Sequence, residues 1–565
     1  MRRTWSYVVL TAALSVAVAV WAVPHLEGDA STRVWVEGSS LLGVSLATHV
    51  DALAAQVLLL AVGVGLLVQI YSTAYLGHHA RYRSYALVII LFLFGMIAVV
   101  AADDLFVLLI GWEVMGLCSY LLIGHEWQTA AARSGAAKAF LMTRVADLGL
   151  LVGILVIGQT YGTYRISEVI TQEPDNATAI GLLLLVAVVG KSAQFPLHTW
   201  LPDAMPGPTP ITALIHAATM VAAGVYLVAR LMPIFEASEL VMTLLAIIAA
   251  VTMLLGALFA LAQTDLKRAL AWSTVSQLAF MFAALSTGDA DAGTDHLLSH
   301  GAFKALLFLG CGCLMHAVGS SALSAMGGLR LRMPVTFWTM SIGFAALAGV
   351  VPTVGFFTKD SVLHALDHGR HEGPLPEGIA VMLLGVALLT SFVTAAYATR
   401  LWLLAFLAPA TTDRAGLSTG SRSEHRAMTG PLLALAVASF ALSIGQPFHL
   451  GMGVLSTLVA AAGVGAVLMV WRRGHSLDLD APWLTSELGL DRPYASWIPS
   501  TTRSSARAVV DVDRDGIDAY SHGSVRVAEL ASRVLALVQT GNVQRYATVI
   551  AAGVVVITAA AVIWT

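Results

Sequence analysis

The chain has the composition of a membrane protein. Of its 565 residues, 58% are hydrophobic and only 12% are charged, whereas about 25% of the residues of a soluble domain are charged. So few charges cannot cover a surface exposed to water, and a net charge of −3 excludes a nucleic-acid-binding surface. The three cysteines, Cys118, Cys311 and Cys313, are too few and wrongly spaced for a structural zinc site or an iron–sulfur cluster.

Long apolar segments predict an all-α, polytopic fold. A helix needs about 20 apolar residues to cross the roughly 30 Å hydrocarbon core of a bilayer, and runs of that length recur along the whole chain. The first follows Met1 and two arginines, like a signal peptide, but we expect an uncleaved helix. We predict about fifteen transmembrane helices, at residues 5–23, 52–75, 84–101, 104–124, 136–160, 177–203, 208–230, 239–261, 266–286, 295–317, 335–365, 378–406, 429–446, 451–471 and 547–564.

Basic and acidic loops alternate between these helices. Lys and Arg are enriched in cytoplasmic loops, and loops containing Arg81, Arg133, Lys267 and Arg414 all fall on one side, whereas the acidic loop 168–175 falls on the other. This pattern predicts a cytoplasmic N-terminus and an external C-terminus in a plasma (inner) membrane.

Residues 472–546 interrupt the apolar pattern. The segment is polar, contains Pro499, and ends in a stretch, 527–538, whose apolar side chains recur on one helical face. We predict a cytoplasmic amphipathic segment that lies along the membrane or a partner. A simple linker helix is the alternative.

An internal repeat links the two halves of the chain. The lysine-containing segment 134–141 is echoed by 300–307, and each is followed at a similar distance by a second lysine, Lys191 or Lys359. On the predicted topology the two copies run in opposite directions through the membrane. The sequence therefore predicts two inverted repeats.

Each repeat places its second lysine beside a proline, Pro196 or Pro352. Proline lacks an N–H group and interrupts a helix, and broken helices at matching positions mark a transport site. The predicted divisions are N-terminal helices at 1–83, a first repeat at 84–235, a second repeat at 236–406, additional helices at 407–471, the polar segment at 472–546 and a last helix at 547–565.

Glu113 is the single charge in the apolar run 105–122. A carboxylate within a membrane helix costs about 2.5–3.5 kcal/mol on insertion scales for charged residues, so we expect it to have a partner, and Lys191 is the leading candidate. If the carboxylate moves or takes up a proton, the lysine can release its own proton. A static pair that orients two helices is the alternative.

Other polar residues within apolar segments are weaker candidates. His216 can titrate near neutral pH and act as a relay, or it can be an ordinary core histidine. Lys267 lies near a helix start, where it can instead snorkel to the interface. His296 and His300 lie one turn apart without a third metal ligand, so we expect proton handling or plain hydrogen bonding rather than metal binding. We expect Arg144 and Asp147, three residues apart, to neutralise each other rather than to conduct.

Several motifs carry a family resemblance. They are Gly111-Trp112-Glu113, Lys138-Ala139-Phe140, Gly190-Lys191-Ser192-Ala193-Gln194, Pro208-Thr209-Pro210 to His216, Gln263 to Arg268, and Gly355 to Asp360. With these motifs the chain resembles subunit L of bacterial respiratory complex I, called subunit 5 in mitochondria. That family belongs to the antiporter-like proton-translocating proteins, which include subunits of sodium/proton antiporters.

The resemblance implies roles for individual residues. Glu113 and Lys191 would form the first charge pair, His216 the next relay, Lys267 the central lysine and Lys359 the exit-side lysine. Further polar residues along the proton path would be Asp147, His296, His300 and Lys304.

The resemblance also implies a function and partners. The chain would translocate protons as a membrane subunit of an NADH:quinone oxidoreductase, beside other membrane subunits and without a cofactor or metal of its own. NADH, FMN, iron–sulfur clusters and quinone would bind to partner subunits. The alternative is a subunit of a cation/proton antiporter or of another ion-translocating complex.

The sequence departs from the family in two places. Residue 5 begins where the family's second transmembrane helix would, so we expect the first to be missing. The stretch that corresponds to the family's long traverse helix contains Pro499, Gly516 and Gly523, so we do not expect a single unbroken helix there.

Overall fold

The computed structural model describes residues 2–28, 30–37, 44–217, 219–409, 424–479 and 481–564. The predicted basic loop at Arg414 lies outside these residues. Helices dominate the described chain. In its first half they are α1 Arg2–Ala22, α2 Ala52–Tyr75, α3 Tyr82–Ala101, α4 Leu105–Ile123, α5 Ala130–Tyr161, α6 Ile166–Val169, α7 Ala177–Lys191, α8 Trp200–Asp203, α9 Thr209–Ala217, α10 Ala223–Arg230, α11 Met232–Glu236 and α12 Glu239–Ala262.

The second half of the chain continues the helical pattern. Its helices are α13 Leu266–Ser286, α14 Ala290–Val318, α15 Pro334–Ala348, α16 Val354–Glu372, α17 Glu377–Phe406, α18 Arg426–Ala441, α19 Leu450–Arg472, α20 Pro482–Thr485, α21 Arg492–Asp511, α22 Ala519–Val538 and α23 Val543–Trp564. A short antiparallel hairpin, β1 Ser31–Val36 and β2 Leu46–Val50, precedes α2.

The predicted helical membrane fold is confirmed, but the count of fifteen spans is not. Eleven helices of the described chain are long and apolar enough to cross a bilayer, and three shorter apolar helices accompany them. The predicted spans 177–203, 208–230 and 335–365 are each divided by a non-helical stretch. Because the sequence stays apolar through these interruptions, hydropathy alone predicts one continuous helix in each case.

Aspartate side chains begin four of the long helices. Asp51, Asp104, Asp265 and Asp289 accept hydrogen bonds from backbone N–H groups in the first turns of α2, α4, α13 and α14, at 2.8–2.9 Å. The first N–H groups of a helix have no partner within it, so these carboxylates supply one. They fix where each helix starts.

The core of the bundle is unusually polar. Every residue of α13 except Arg268 is buried, and α13 packs between α12 and α14. Because α13 is sheltered from lipid on all sides, it carries Ser273, Ser276 and Gln277 without exposing them. This arrangement leaves room for polar chemistry at the centre of the protein.

Residues 1–488 and 489–565 form two units. In the second unit, α21 and α22 are joined by a π-helical turn at Val512–Asp518, so the described backbone is helical from residue 492 to 538. The expectation that the helix would break was wrong for Pro499 and Gly523, which both lie within α-helix. Around Gly516 the α-helical pattern is interrupted, but by a π-helical turn that keeps the backbone helical. The divisions predicted inside the first unit, at residues 83, 235, 406 and 471, remain predictions.

Candidate functional site

Lys191 ends α7 and is completely buried. Its Nζ lies 3.6 Å from Oδ2 of Asp147 on α5 and donates a 3.0 Å hydrogen bond to the backbone oxygen of Trp112 on α4. The Trp112 indole in turn donates a 2.6 Å hydrogen bond to Oδ1 of Asp147. A buried ammonium is therefore held by a carboxylate, a carbonyl and the face of an aromatic ring, 4.9 Å from its centroid.

Glu113 forms its ion pair with Arg144, not with Lys191. The predicted Glu113–Lys191 pair is therefore wrong in this structure, and so is the predicted mutual neutralisation of Arg144 and Asp147. Residues 112 and 113 point about 100° apart on their helix, so Trp112 faces Lys191 while Glu113 faces Arg144. The Glu113 side chain is 29% exposed, unlike that of Asp147.

Gly116 brings the two ion pairs together. A Cβ atom at this position would lie 3.4 Å from Lys191 Nζ and 3.8 Å from a guanidinium nitrogen of Arg144. Glycine thus lets two cations approach the same point on α4. We refer to Glu113, Arg144, Asp147 and Lys191 as the four-charge cluster.

A helix break follows Lys191 directly. α7 ends there, and residues 192–199, which include Pro196, are not α-helical before α8 begins. Gly190, one residue earlier, packs closely on α5, since a Cβ there would lie 2.1 Å from Cβ of Ala146. This close approach of α5 and α7 is what brings Asp147 to Lys191.

Lys304 occupies the middle of α14 and is completely buried. Its Nζ donates a 2.6 Å hydrogen bond to the Ser273 hydroxyl, which lies 2.8 Å from the Tyr397 hydroxyl. The partners of this lysine in the described chain are neutral oxygens. Lys304 is thus the lysine at the centre of the second half.

Lys267, expected to be the central lysine, lies instead in the first turn of α13. Its Nζ donates to the backbone oxygens of Met205 and Gly207, at 2.7 and 2.6 Å. It lines a cavity of about 400 Å³ together with Glu126 and Asp265. Its expected role as the central lysine of a proton path remains a prediction.

Lys359 lies beside the second helix break. α15 ends at Ala348 and α16 begins at Val354, with Pro352 in between. The break frees the backbone oxygen of Leu347, which accepts a 2.5 Å hydrogen bond from Lys359 Nζ. The predicted broken helices are confirmed, and the second one supplies the lysine with its hydrogen-bond acceptor.

The three histidines predicted from the sequence are all buried and interact electrostatically with Lys304. His296 is placed 3.0 Å from the Thr358 hydroxyl and 3.3 Å from the Gln277 side-chain oxygen. His300 lies one turn further along α14, between His296 and Lys304 in the sequence. His216 packs on Phe308 of the same helix, with ring centroids 4.8 Å apart.

His216 has no hydrogen-bond partner for either ring nitrogen among the described residues. It interacts electrostatically with Lys304 and Lys267, as Lys304 does with Lys359. Since buried polar groups are normally hydrogen-bonded to protein or water, this imidazole has the surroundings of a group that bonds to water. In the described residues no group of three or more His, Cys, Asp or Glu side chains is arranged to hold a metal ion.

Sequence reasoning missed several of these partners. Arg144 was predicted to pair with Asp147 instead of Glu113, and Asp147 was only a secondary candidate for the proton path. Nothing in the sequence singled out Tyr397, since hydroxyl groups are common in membrane helices, and Ser273 was overlooked. The unusual density of polar residues in 273–277 was the available signal.

A bundle of membrane helices with buried lysines beside two broken helices defines an antiporter-like membrane protein. The chain matches two family descriptions: "NADH:quinone oxidoreductase/Mrp antiporter, TM" over residues 102–370 and "NADH-Ubiquinone oxidoreductase (complex I), chain 5 N-terminus" over residues 35–86. It is 34% identical to NAD(P)H-quinone oxidoreductase subunit 5 of the Paulinella chromatophora chromatophore, over 90% of this chain and 85% of that protein. The chain belongs to the family of NADH-quinone oxidoreductase subunits L and 5.

The match to another relative spans a smaller share of that relative's length. The chain is 42% identical to NADH-quinone oxidoreductase subunit L of Mycobacterium tuberculosis, over 72% of this chain and 64% of that protein. The match thus spans a little under two thirds of that relative.

Two solved structures share the fold. A chain of the Mrp complex from Dietzia sp. DQ12-45-1b matches with a TM-score of 0.76 and 26% identity, over 100% of this chain and 60% of that chain. A chain of the membrane-bound sulfane sulfur reductase, an archaeal respiratory complex, matches with a TM-score of 0.67 over 82% of this chain and 93% of that chain, and its 24% identity supports the fold alone.

Proposed function

We propose that this chain is a proton-translocating membrane subunit of an NADH:quinone oxidoreductase. The observation that carries the proposal is the series of buried ionisable side chains that joins two lysine sites beside broken helices. It runs through Lys191, His216, Lys304, His300, His296 and Lys359. Charged groups inside a membrane protein are costly, and they are characteristic of ion pathways.

Rearrangement of the four-charge cluster would switch the first site. At rest Asp147 neutralises Lys191, and Glu113 neutralises Arg144. When Asp147 instead turns to Arg144, three residues earlier on α5, Lys191 loses its counterion. Its proton then passes to the neighbouring polar groups, because an unpaired buried ammonium is unfavourable.

The energy available is sufficient for transport. Removing one partner of a buried ion pair costs about 3–5 kcal/mol. Moving one proton against 100 mV requires about 2.3 kcal/mol. One change of partner at Lys191 is therefore comparable with the work of moving one proton.

The proton would next pass through the second half. His216 exchanges protons with Lys304, and His300, His296 and Lys359 complete the route. Lys267 and its cavity form an opening to one membrane surface. Glu113 would take part in the switch through its ion pair with Arg144, because it does not pair with Lys191.

The driving reaction takes place in other chains. Quinone reduction in partner subunits would shift the four-charge cluster through neighbouring membrane subunits, with NADH, FMN and iron–sulfur clusters bound there. This chain would hold no cofactor. The proposed location is the plasma (inner) membrane with a cytoplasmic N-terminus and an external C-terminus, in agreement with the distribution of basic loops.

The test uses inverted membrane vesicles that contain the assembled complex. Replacing the central lysine with an apolar residue of similar length, Lys304→Met, should reduce NADH-driven acidification at least tenfold. NADH oxidation by an artificial electron acceptor, which needs no proton movement, should be unchanged. Arg332→Gln removes an exposed charge in the turn before α15 and serves as the control. Undiminished acidification in Lys304→Met and in Lys191→Met would refute the proposal.

A cation/proton antiporter is the second candidate function. It is favoured by the match of the whole chain to a chain of the Mrp complex. In vesicles without NADH, a sodium gradient would then change the internal pH in a manner that depends on Lys304. Co-purification of flavin and iron–sulfur subunits with the chain would support the first candidate instead.

A further inference from the structure

We propose that a cavity at one end of α3, α4 and α5 binds the headgroup of an anionic phospholipid. The cavity has a volume of about 620 Å³, within the 300–1,000 Å³ of typical ligand sites. It lies where α3 and α5 begin and α4 ends, so three membrane helices reach the membrane boundary there. None of its residues belongs to the proposed proton path.

The mouth of the cavity is cationic. Arg133 donates hydrogen bonds to the backbone oxygens of Trp127 and Gln128, at 2.8 and 3.0 Å. Arg81 donates to the Gln128 side-chain oxygen at 2.8 Å and lies 5.8 Å from the Trp127 ring. All these partners are neutral, so they position the two guanidinium groups without cancelling their charge. Guanidinium groups bind phosphate oxygens through paired, charge-assisted hydrogen bonds.

A buried histidine provides a second, independent indication of a ligand. His125 lines the cavity and is only 7% exposed, yet its Nε2 has no hydrogen-bond partner among the described residues. The ring packs against His79 and Tyr85, which hold it in place. An unpaired polar nitrogen in a buried site is unfavourable, and a phosphate oxygen in the cavity would pair with it.

The other wall of the cavity is apolar. Val88 and Leu121 line it below the arginines, and Leu121 is also exposed on the outer surface of the bundle. Trp127 and Tyr120 lie beside them, as aromatic side chains do at the membrane interface. A cationic mouth above an apolar wall fits an amphiphile, with its phosphate on the arginines and its acyl chains along α3 and α4. A free phosphate ion would use only the mouth, and for this reason we assign the site to a lipid.

The experiment measures lipid binding to the purified full-length chain by native mass spectrometry. Phosphatidylglycerol and cardiolipin are compared with phosphatidylcholine. Wild-type protein should retain the anionic lipids preferentially, and Arg81→Gln/Arg133→Gln should lower their occupancy at least tenfold. Arg332→Gln/Arg473→Gln removes the same charge from two exposed positions elsewhere and should leave occupancy unchanged.

A second variant separates shape from charge. Ala137 lines the cavity from an exposed position on α5, so Ala137→Trp fills the space while both arginines remain, and it should also reduce binding. Equal retention of phosphatidylcholine, or binding unchanged in both cavity variants, would overturn the proposal. Displacement of bound lipid by inorganic phosphate alone, or a co-purified protein segment in place of lipid, would overturn it as well.

Discussion

The pairing within the four-charge cluster can be measured with double-mutant cycles. Lys191 is completely buried and lies 3.6 Å from the Asp147 carboxylate. With an effective dielectric constant of 20, two unit charges at this distance attract by about 4.6 kcal/mol. Asp147→Asn keeps an oxygen for the Trp112 indole but removes the charge, so we expect a loss of about 3–5 kcal/mol in the free energy of unfolding.

The double variant should be less damaged than the two single variants together. Asp147→Asn with Lys191→Met removes both charges, so we expect a coupling energy of about 2–3 kcal/mol between the two positions. The assay is reversible unfolding by denaturant in mixed micelles. Glu113→Gln with Lys191→Met serves as the comparison, and its coupling should be smaller. The pairing of Asp147 with Lys191 would be refuted if the effects of Asp147→Asn and Lys191→Met on unfolding add within about 0.5 kcal/mol while those of Glu113→Gln and Lys191→Met are strongly coupled.

Two further predictions concern stability. Burial tends to raise the pKa of Asp51, but the Arg230 guanidinium and the Ala54 N–H outweigh it and lower the pKa of this carboxyl below its usual value. Asp51→Asn should therefore lower the free energy of unfolding by about 1–3 kcal/mol at pH 7. This difference from wild type should shrink as the pH falls through the folded-state pKa. Thermal melting in detergent between pH 7 and 3 would check both expectations. Gly190→Ala should cost about 1–3 kcal/mol, because α5 and α7 must separate. Gly385→Ala, which meets no atom within 4 Å, should be neutral or slightly stabilising, and equal melting temperatures for the two glycine variants would contradict the close packing.

Hydrophobic length predicted most of the bundle. The segments 52–75 and 266–286 coincide with α2 and α13, because a bilayer-length apolar run has little alternative to a helix. The same criterion failed at 177–203 and 335–365. Each contains a break that keeps its apolar character, and only the prolines Pro196 and Pro352 indicated it.

The ion pairs could not be predicted from the sequence. Which charge meets Lys191 depends on how α4, α5 and α7 are rotated about their axes, and neighbouring positions on one helix face different partners. Trp112 and Glu113 illustrate this, since only the first faces Lys191. The hydroxyl pair beside Lys304 could not be predicted either, since the Tyr397 hydroxyl that bonds to Ser273 comes from a helix more than 90 residues from Lys304 in sequence.

The two lysine sites differ in the charge of the groups that hold the lysines. Lys191 is held by the carboxylate of Asp147, whereas Lys304 and Lys359 are held in the described chain by the neutral oxygens of Ser273 and Leu347. A carboxylate compensates a buried ammonium more fully than a hydroxyl or carbonyl dipole does. In the proposed pathway the first site would therefore hold its proton until the partner of Asp147 changes, and the second site would pass the proton on. On the predicted repeats, the carboxylate of Asp147 beside Lys191 is thus the main difference between the two lysine sites, and Asp147→Asn should make the first site resemble the second.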